Sequence, residues 1–355
     1  MLNKMRSRKV GELDLLKGIR SRAARRGGGG LRLGIGDDCA LLYQQPGEEL
    51  AVTTDLSIAG RHFRLEWHPP ESVGHRTLAR GLSDLAAMGA RPLAVFLSIG
   101  LPPDLTMAGA LVVGKEGARY TASARKTSWF DRFLAGFLAL ADSFQSPLAG
   151  GDLAESPIPI ADIVLVGAVP QGRALLRSGA RPGDLLYVTG TLGGSSMGLE
   201  RLGKLMQSGP PRPRRIPQSM QKLLAPHLYP QPRLEQGRFL QRRGLASSAI
   251  DLSDGLSTDL SHLCEESGVS AEVDSTALPI HPGATLDQAL HGGEDYELLF
   301  TARPSARVPR AVAGVPVTRI GRILRARPDR QQAILTTPHG GQALISGGWQ
   351  HFSGA

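Results

Sequence analysis

Cysteine is nearly missing from this chain of 355 residues, which holds only Cys39 and Cys264. Two thiols so far apart provide neither a disulfide framework nor a thiolate zinc site, so both are expected to be small core residues in a reducing compartment. No window approaches 18 uninterrupted apolar residues, and no membrane-spanning helix is expected. The basic opening MLNKMRSRKVGELDLLKG lacks the apolar stretch of a signal peptide. A cytosolic chain is the expectation.

Nucleotide motifs are missing as well. No G-x-x-x-x-G-K-[ST] loop exists, because Gly203-Lys204 runs into Leu205 and Gly114-Lys115 into Glu116. GTLGGSSMG (190–198) misses the dinucleotide spacing and reads equally well as a helix-capping turn. Protein-kinase signatures and His-rich zinc spacings are absent.

Positive charge is plentiful, with 41 Lys and Arg against 32 Asp and Glu, a net charge of +9. The densest groups, RSRAARR (20–26) and PPRPRR (210–215), carry no interleaved aromatics and sit in no reading motif. They read as solvated faces or loops, and no nucleic-acid partner is expected. A basic surface also attracts small anions.

Apolar runs and helical periods alternate through two halves of similar grammar. LAVTTDLSI (50–58), PLAVFLSIGL (92–101) and IADIVLVGAV (160–169) read as strands. ESVGHRTLARGLSDLAAMGA places Leu78, Leu82 and Leu85 at helical spacing before a Gly89 stop, and SWFDRFLAGFLALADSF puts Phe130, Phe133, Phe137 and Leu138 on one face. The second half restarts with LLYVTGTLGGSSMGLERL and continues through SSAIDLSDGLSTDLSHLCEESG, GGEDYELLFTA and VTRIGRIL. An α/β (α+β) fold in two domains, 1–170 and 171–355, is expected. The stretch 209–217 reads as a loop.

Seven aspartates carry the chemistry: Asp37, Asp38, Asp55, Asp84, Asp152, Asp251 and Asp254. Most end apolar strands beside Gly, Ser or Thr, where loops bring distant carboxylates together. No Lys or Arg lies between Gly34 and Ala59 to neutralise the Asp37-Asp38 pair. Asp84 falls in the last turn of its helix, where it opposes the macrodipole. Taken singly, Asp254 could cap a helix, Asp152 could serve a turn and Asp38 could be solvated. Taken together, they suggest hard oxygen ligands for Mg²⁺ that bridges to a polyphosphate.

The segments GIGDDCALL, TTDLSIAGRHF, LSDLAAMGARP, AGGDLAES, LLRSGARPGDLLYVTGTLGG, AIDLSDGL, HGGEDYELLF and GWQHF occur in an order that resembles the thiamine-monophosphate kinase family, of the aminoimidazole ribonucleotide synthetase-like ATP-binding superfamily. The resemblance implies an N-terminal sheet domain that pairs with a second copy in a homodimer, a C-terminal α/β domain, and ATP with several Mg²⁺ between them. It implies transfer of the ATP γ-phosphoryl group to thiamine monophosphate, giving thiamine diphosphate. It assigns Asp38, Thr53, Thr54, Asp55, Asp84, Asp152, Asp251 and Asp254 as metal ligands. Gly151, Arg177 and Ser253 become ATP contacts, and His62, Glu294 and Trp349 contacts to thiamine monophosphate. An acceptor phosphate is already an anionic nucleophile, so no covalent or acid–base residue is expected.

Two departures stand out. Leu153 follows Gly-Gly-Asp where the family often has Thr. Residues 107–127 interrupt the family pattern and are expected to be a tolerated surface loop. Remaining alternatives are a nucleotide-binding regulator without turnover, or another ATP-dependent enzyme of the superfamily; branches that use a reactive terminal Cys find none at Cys39 or Cys264.

Overall fold

The computed structural model describes residues 12–23, 29–36, 38–107, 109–114, 117–122, 127–207, 216–326 and 332–349. Asp37 and most of the stretch 209–217 lie outside them.

Among the described residues, the N-terminal half is built on a four-stranded sheet. Its order is Glu48–Ile58, Ile160–Pro170, Arg91–Leu101, Leu148–Glu155; the last pair is parallel and the others antiparallel. Alternation in these strands gives each face a separate task. The inner face is covered by the helices Pro70–Ala87 and Trp129–Ser143, with Leu78, Leu82 and Leu85 packed in one core with Ile163 and Leu165. The scarce aromatics are concentrated here, with Phe63, Trp129, Phe133 and Phe137 forming a stacked ladder at centroid spacings of 6.3, 5.3 and 6.3 Å. The two helices cross at Gly74 and Gly136, where a Cβ would fall 2.0 Å from the carbonyl oxygens of Phe133 and Glu71 respectively. Any larger residue there would drive the helices apart.

The C-terminal half carries a mixed sheet whose main path runs Ser248–Asp251, Leu298–Ala302, Leu185–Thr189, Val315–Arg325, Val269–Asp274, Ala333–Thr337, Gly340–Ala343. Leu260, Leu263 and Cys264 of the helix Leu256–Ser267 fill a core with Leu186, Val188, Leu299 and Ile323. The Pro70–Ala87 helix is the spine between the halves. The Ala86 carbonyl lies against Gly237, and His75 Nε2 reaches the Pro230 carbonyl at 2.7 Å.

Two expectations need correction. Cys264 is buried, with its thiol pushed up to about 12 by desolvation, but Cys39 is exposed on the turn after Gly36 and is no core residue. The excursion 107–127 is not a plain loop: Gly109–Gly114 and Gly117–Ala122 pair antiparallel as a hairpin. It rejoins the domain at Ser128, which caps the following helix in a reciprocal box with Asp131.

Candidate active site

A cleft of about 1150 Å³ runs between the halves. Its lining brings together Thr54, Asp55, Asp84, Asp251, Ser253 and Asp254 with His62, Glu294 and Trp349, nine of the residues singled out in the sequence. Each is delivered by a strand end, a helix turn or a short loop.

The carboxylate wall forms where the Pro70–Ala87 helix meets the two sheets. Asp84 accepts a hydrogen bond from the Thr53 hydroxyl, and Ser83 donates to Asp251 Oδ2 at 2.7 Å. Burial pushes both carboxyls up to about 7, and the negative charge of Asp251 adds to the effect on Asp84. Asp55 is raised chiefly by burial, against the opposing pull of Arg80, whose Nε lies 3.1 Å from Asp55 Oδ1. Arg177 is off the lining, yet its charge favours the ionised forms of Asp84 and Asp251.

Arg80 and Arg76, one turn apart on the same helix, went unrecognised in the sequence. Arg76 Nη2 donates to both oxygens of Glu294, at 2.7 and 2.6 Å. Helical spacing was the available signal: residues 76, 80 and 84 share a face that points into the cleft. Asp259 was also missed. Its carboxylate accepts the N–H groups of Asp254 and Gly255, so Asp259, and not Asp254, satisfies the start of the Leu256–Ser267 helix.

The opposite wall, which bears Glu294 and Trp349, is held by backbone. Glu294 N–H donates to the Ser253 carbonyl at 2.8 Å and Trp349 N–H to that of Asp254 at 3.2 Å. Glu294 and Tyr296 adopt left-handed φ values of 65° and 52°, which cost free energy in non-glycine residues and mark a constrained turn. Asp295, between them, accepts the N–H groups of Gly193 and Ser195 at 2.5 and 3.0 Å. The glycine-rich turn 190–198 therefore spends its helix N-terminus on an internal carboxylate, and it serves as a capping turn.

Asp38, Thr53, Gly151, Asp152 and Arg177 are not on the cleft lining. Asp38 is exposed. Asp152 is exposed on the strand Leu148–Glu155, its Oδ1 accepting the Leu153 N–H. Gly151 has φ 146°, and a Cβ there would lie 1.8 Å from the Leu97 carbonyl oxygen, so strand packing alone demands glycine. Among the described residues no three His, Cys, Asp or Glu side chains converge as a ready metal-holding group. Asp55 and Asp84, half-buried, and Asp251, buried, line the same cleft as hard oxygen donors, and the charges of Asp251 and Asp55 raise the proton affinity of Asp84. That donor chemistry fits a divalent hard cation.

Comparison with known proteins first defines a class. Residues 36–169 match the AIR synthase related protein N-terminal domain and residues 181–330 its C-terminal domain. A thiamine-monophosphate kinase of Escherichia coli K12 is 39% identical over 305 residues, covering 82% of this chain and 84% of its own. The crystal structure of a thiamine-monophosphate kinase from Stenotrophomonas maltophilia aligns at TM-score 0.71 and 34% identity, over 92% of this chain and 96% of its own. AaThiL complexed with AMPPCP and TMP aligns at TM-score 0.69 and 29% identity, over 99% and 100%. The chain belongs to the thiamine-monophosphate kinase family, within the AIR synthase related proteins. Among the described residues no helix is long and apolar enough to cross a membrane.

Proposed function

We propose that this chain transfers the γ-phosphoryl group of ATP to the phosphate of thiamine monophosphate. The observation that carries the reading is the meeting, in one cleft, of a largely half-buried carboxylate wall and a wall bearing His62, Glu294 and Trp349. Relatives named thiamine-monophosphate kinase and the AaThiL complex with AMPPCP and TMP support it.

Mg²⁺ would be held by Asp55, Asp84, Asp251 and Asp254 with Thr53 and Thr54, and by Asp38 and Asp152 where these approach the nucleotide. When bound, the ion neutralises charge on the transferring phosphoryl group. Arg177 suits a bidentate phosphate clamp, with Gly151 and Ser253 completing the ATP side. On the acceptor side Trp349, a residue 52% exposed, offers an indole, Glu294 a carboxylate and His62 an imidazole. No group is needed to deprotonate the acceptor, so the residues act by orientation and by excluding water.

A homodimer belongs to this reading. Leu50, Val52 and Leu56 project from the outer face of the edge strand Glu48–Ile58, at 50%, 61% and 44% exposure. A second copy covering that apolar row would approach Asp152, which shares its sheet face through the register Leu56, Asp162, Ser98, Asp152. Formation of thiamine diphosphate by the purified protein tests the proposal.

A further inference from the structure

Behind Glu294 lies a chain of hydrogen bonds that crosses between the two halves. Arg76 has a side chain only 7% exposed, whereas Glu294 in front of it is 27% exposed. Besides Glu294, Arg76 Nη2 donates to the His62 carbonyl at 3.2 Å, and Nη1 reaches His227 Nε2 at 2.9 Å. His227 Nε2 also lies 3.0 Å from His68 Nε2, and His227 Nδ1 lies 3.1 Å from the Ser195 hydroxyl.

Proton positions follow from the partners. A guanidinium only donates, so His227 Nε2 must accept from Arg76 and carry no proton. His68 must then hold its own proton on Nε2 and donate it to the same atom. This agrees with the Arg64 N–H, which donates to His68 Nδ1 at 3.1 Å. The Arg64 carbonyl also lies 3.2 Å from Nδ1, but a proton there would leave two bare Nε2 atoms facing each other. The alternative, a proton on His227 Nε2, would set donor against donor at Arg76. One arrangement satisfies the contacts of His227: His68 Nε2–H and Arg76 both donate to its Nε2, and its Nδ1–H donates to Ser195, with Glu294 Oε2 3.8 Å from the same nitrogen. Burial, followed by the charge of Arg76, lowers His68 to about 3 and His227 well below its ordinary value, which keeps both rings neutral.

We propose that His227 is a positioning residue: its unprotonated Nε2 fixes Arg76, and Arg76 fixes Glu294 in the orientation that binds thiamine monophosphate. This rests on the proposed function for the identity of the ligand. Without that acceptor the guanidinium keeps only the longer bond to the His62 carbonyl besides Glu294, and the orientation of Glu294 loosens.

Two substitutions separate this role from mere packing. In His227→Gln the amide oxygen reaches the place of Nε2 and still accepts from Arg76. In His227→Asn the side chain reaches only the place of Nδ1. The Asn variant is expected to raise KM for thiamine monophosphate about tenfold, with KM for ATP within about twofold of the parent. The Gln variant is expected to restore the parent value. Equal impairment of both variants, no change in the Asn variant, or equal rises in both KM values would overturn the proposal. Long-range ¹H–¹⁵N spectra of the parent supply a readout that needs no substrate. An unprotonated His227 Nε2 is expected, and a protonated one overturns the relay. If the parent makes no thiamine diphosphate, the proposed function fails while these spectra still decide the relay.

Discussion

Ser83 and Asp251 join the two halves of the molecule, the serine hydroxyl donating to the carboxylate at 2.7 Å. Through that contact the end of the Pro70–Ala87 helix sets Asp84 close enough to Asp251 for the two charges to disfavour each other. Asp84 also opposes the helix macrodipole. So costly a placement is expected to be offset by a cation.

Replacing either carboxylate should therefore separate stability from function. Asp84→Asn and Asp251→Asn are each expected to lower Mg²⁺-dependent turnover by at least about a hundredfold. The folded state should survive, and the melting temperature in metal-free buffer at pH 8 should hold or rise. Near-normal turnover in both variants would remove the metal role. Titration calorimetry with Mg²⁺ and AMPPCP gives a second readout.

On the acceptor side the effects should be one-sided. Trp349→Ala and Glu294→Gln are expected to raise KM for thiamine monophosphate about tenfold or more while KM for ATP changes little. Equal changes for both substrates would show that these residues serve the whole cleft.

The buried imidazoles predict an acid limit. His68 is lowered from 6.5 to about 3 by burial. Between those values the unfolded chain binds the proton more readily than the folded one, so stability is lost as pH falls below 6.5. The loss from pH 6.5 to 5 should be roughly 1.5 kcal/mol for this imidazole. His68→Gln, which cannot charge, should show a shallower decline in urea unfolding over that range. An unchanged slope would contradict the neutral assignment.

Oligomeric state is tested at the edge strand. Leu50→Glu with Val52→Glu puts two charges into the exposed apolar row and should convert a dimer to monomer in light scattering. A parent protein that is itself monomeric would remove the dimer.

Strands at 48–58, 91–101 and 160–170 and the helices after Pro69 and Ser128 were readable because apolar period and capping residues agree locally. The hairpin in 107–127 was not: its short, Gly-flanked strands carry no helical or strand period strong enough to separate them from a loop. In the site, Asp55 and Asp84 could be singled out by their apolar surroundings. Arg80 could not be matched to Asp55, nor Arg76 to Glu294, because each pair joins separate elements, the first within the N-terminal half and the second across the two halves. Asp295 was masked by the neighbouring Glu294, although its carboxylate holds the glycine-rich turn.

The most direct test uses purified protein with ATP, Mg²⁺ and thiamine monophosphate, measuring ADP and thiamine diphosphate together. Phosphoryl transfer to thiamine monophosphate requires the two products one for one, dependent on all three additions. ADP formed at the same rate without thiamine monophosphate, or bound nucleotide with no thiamine diphosphate formed, would contradict it.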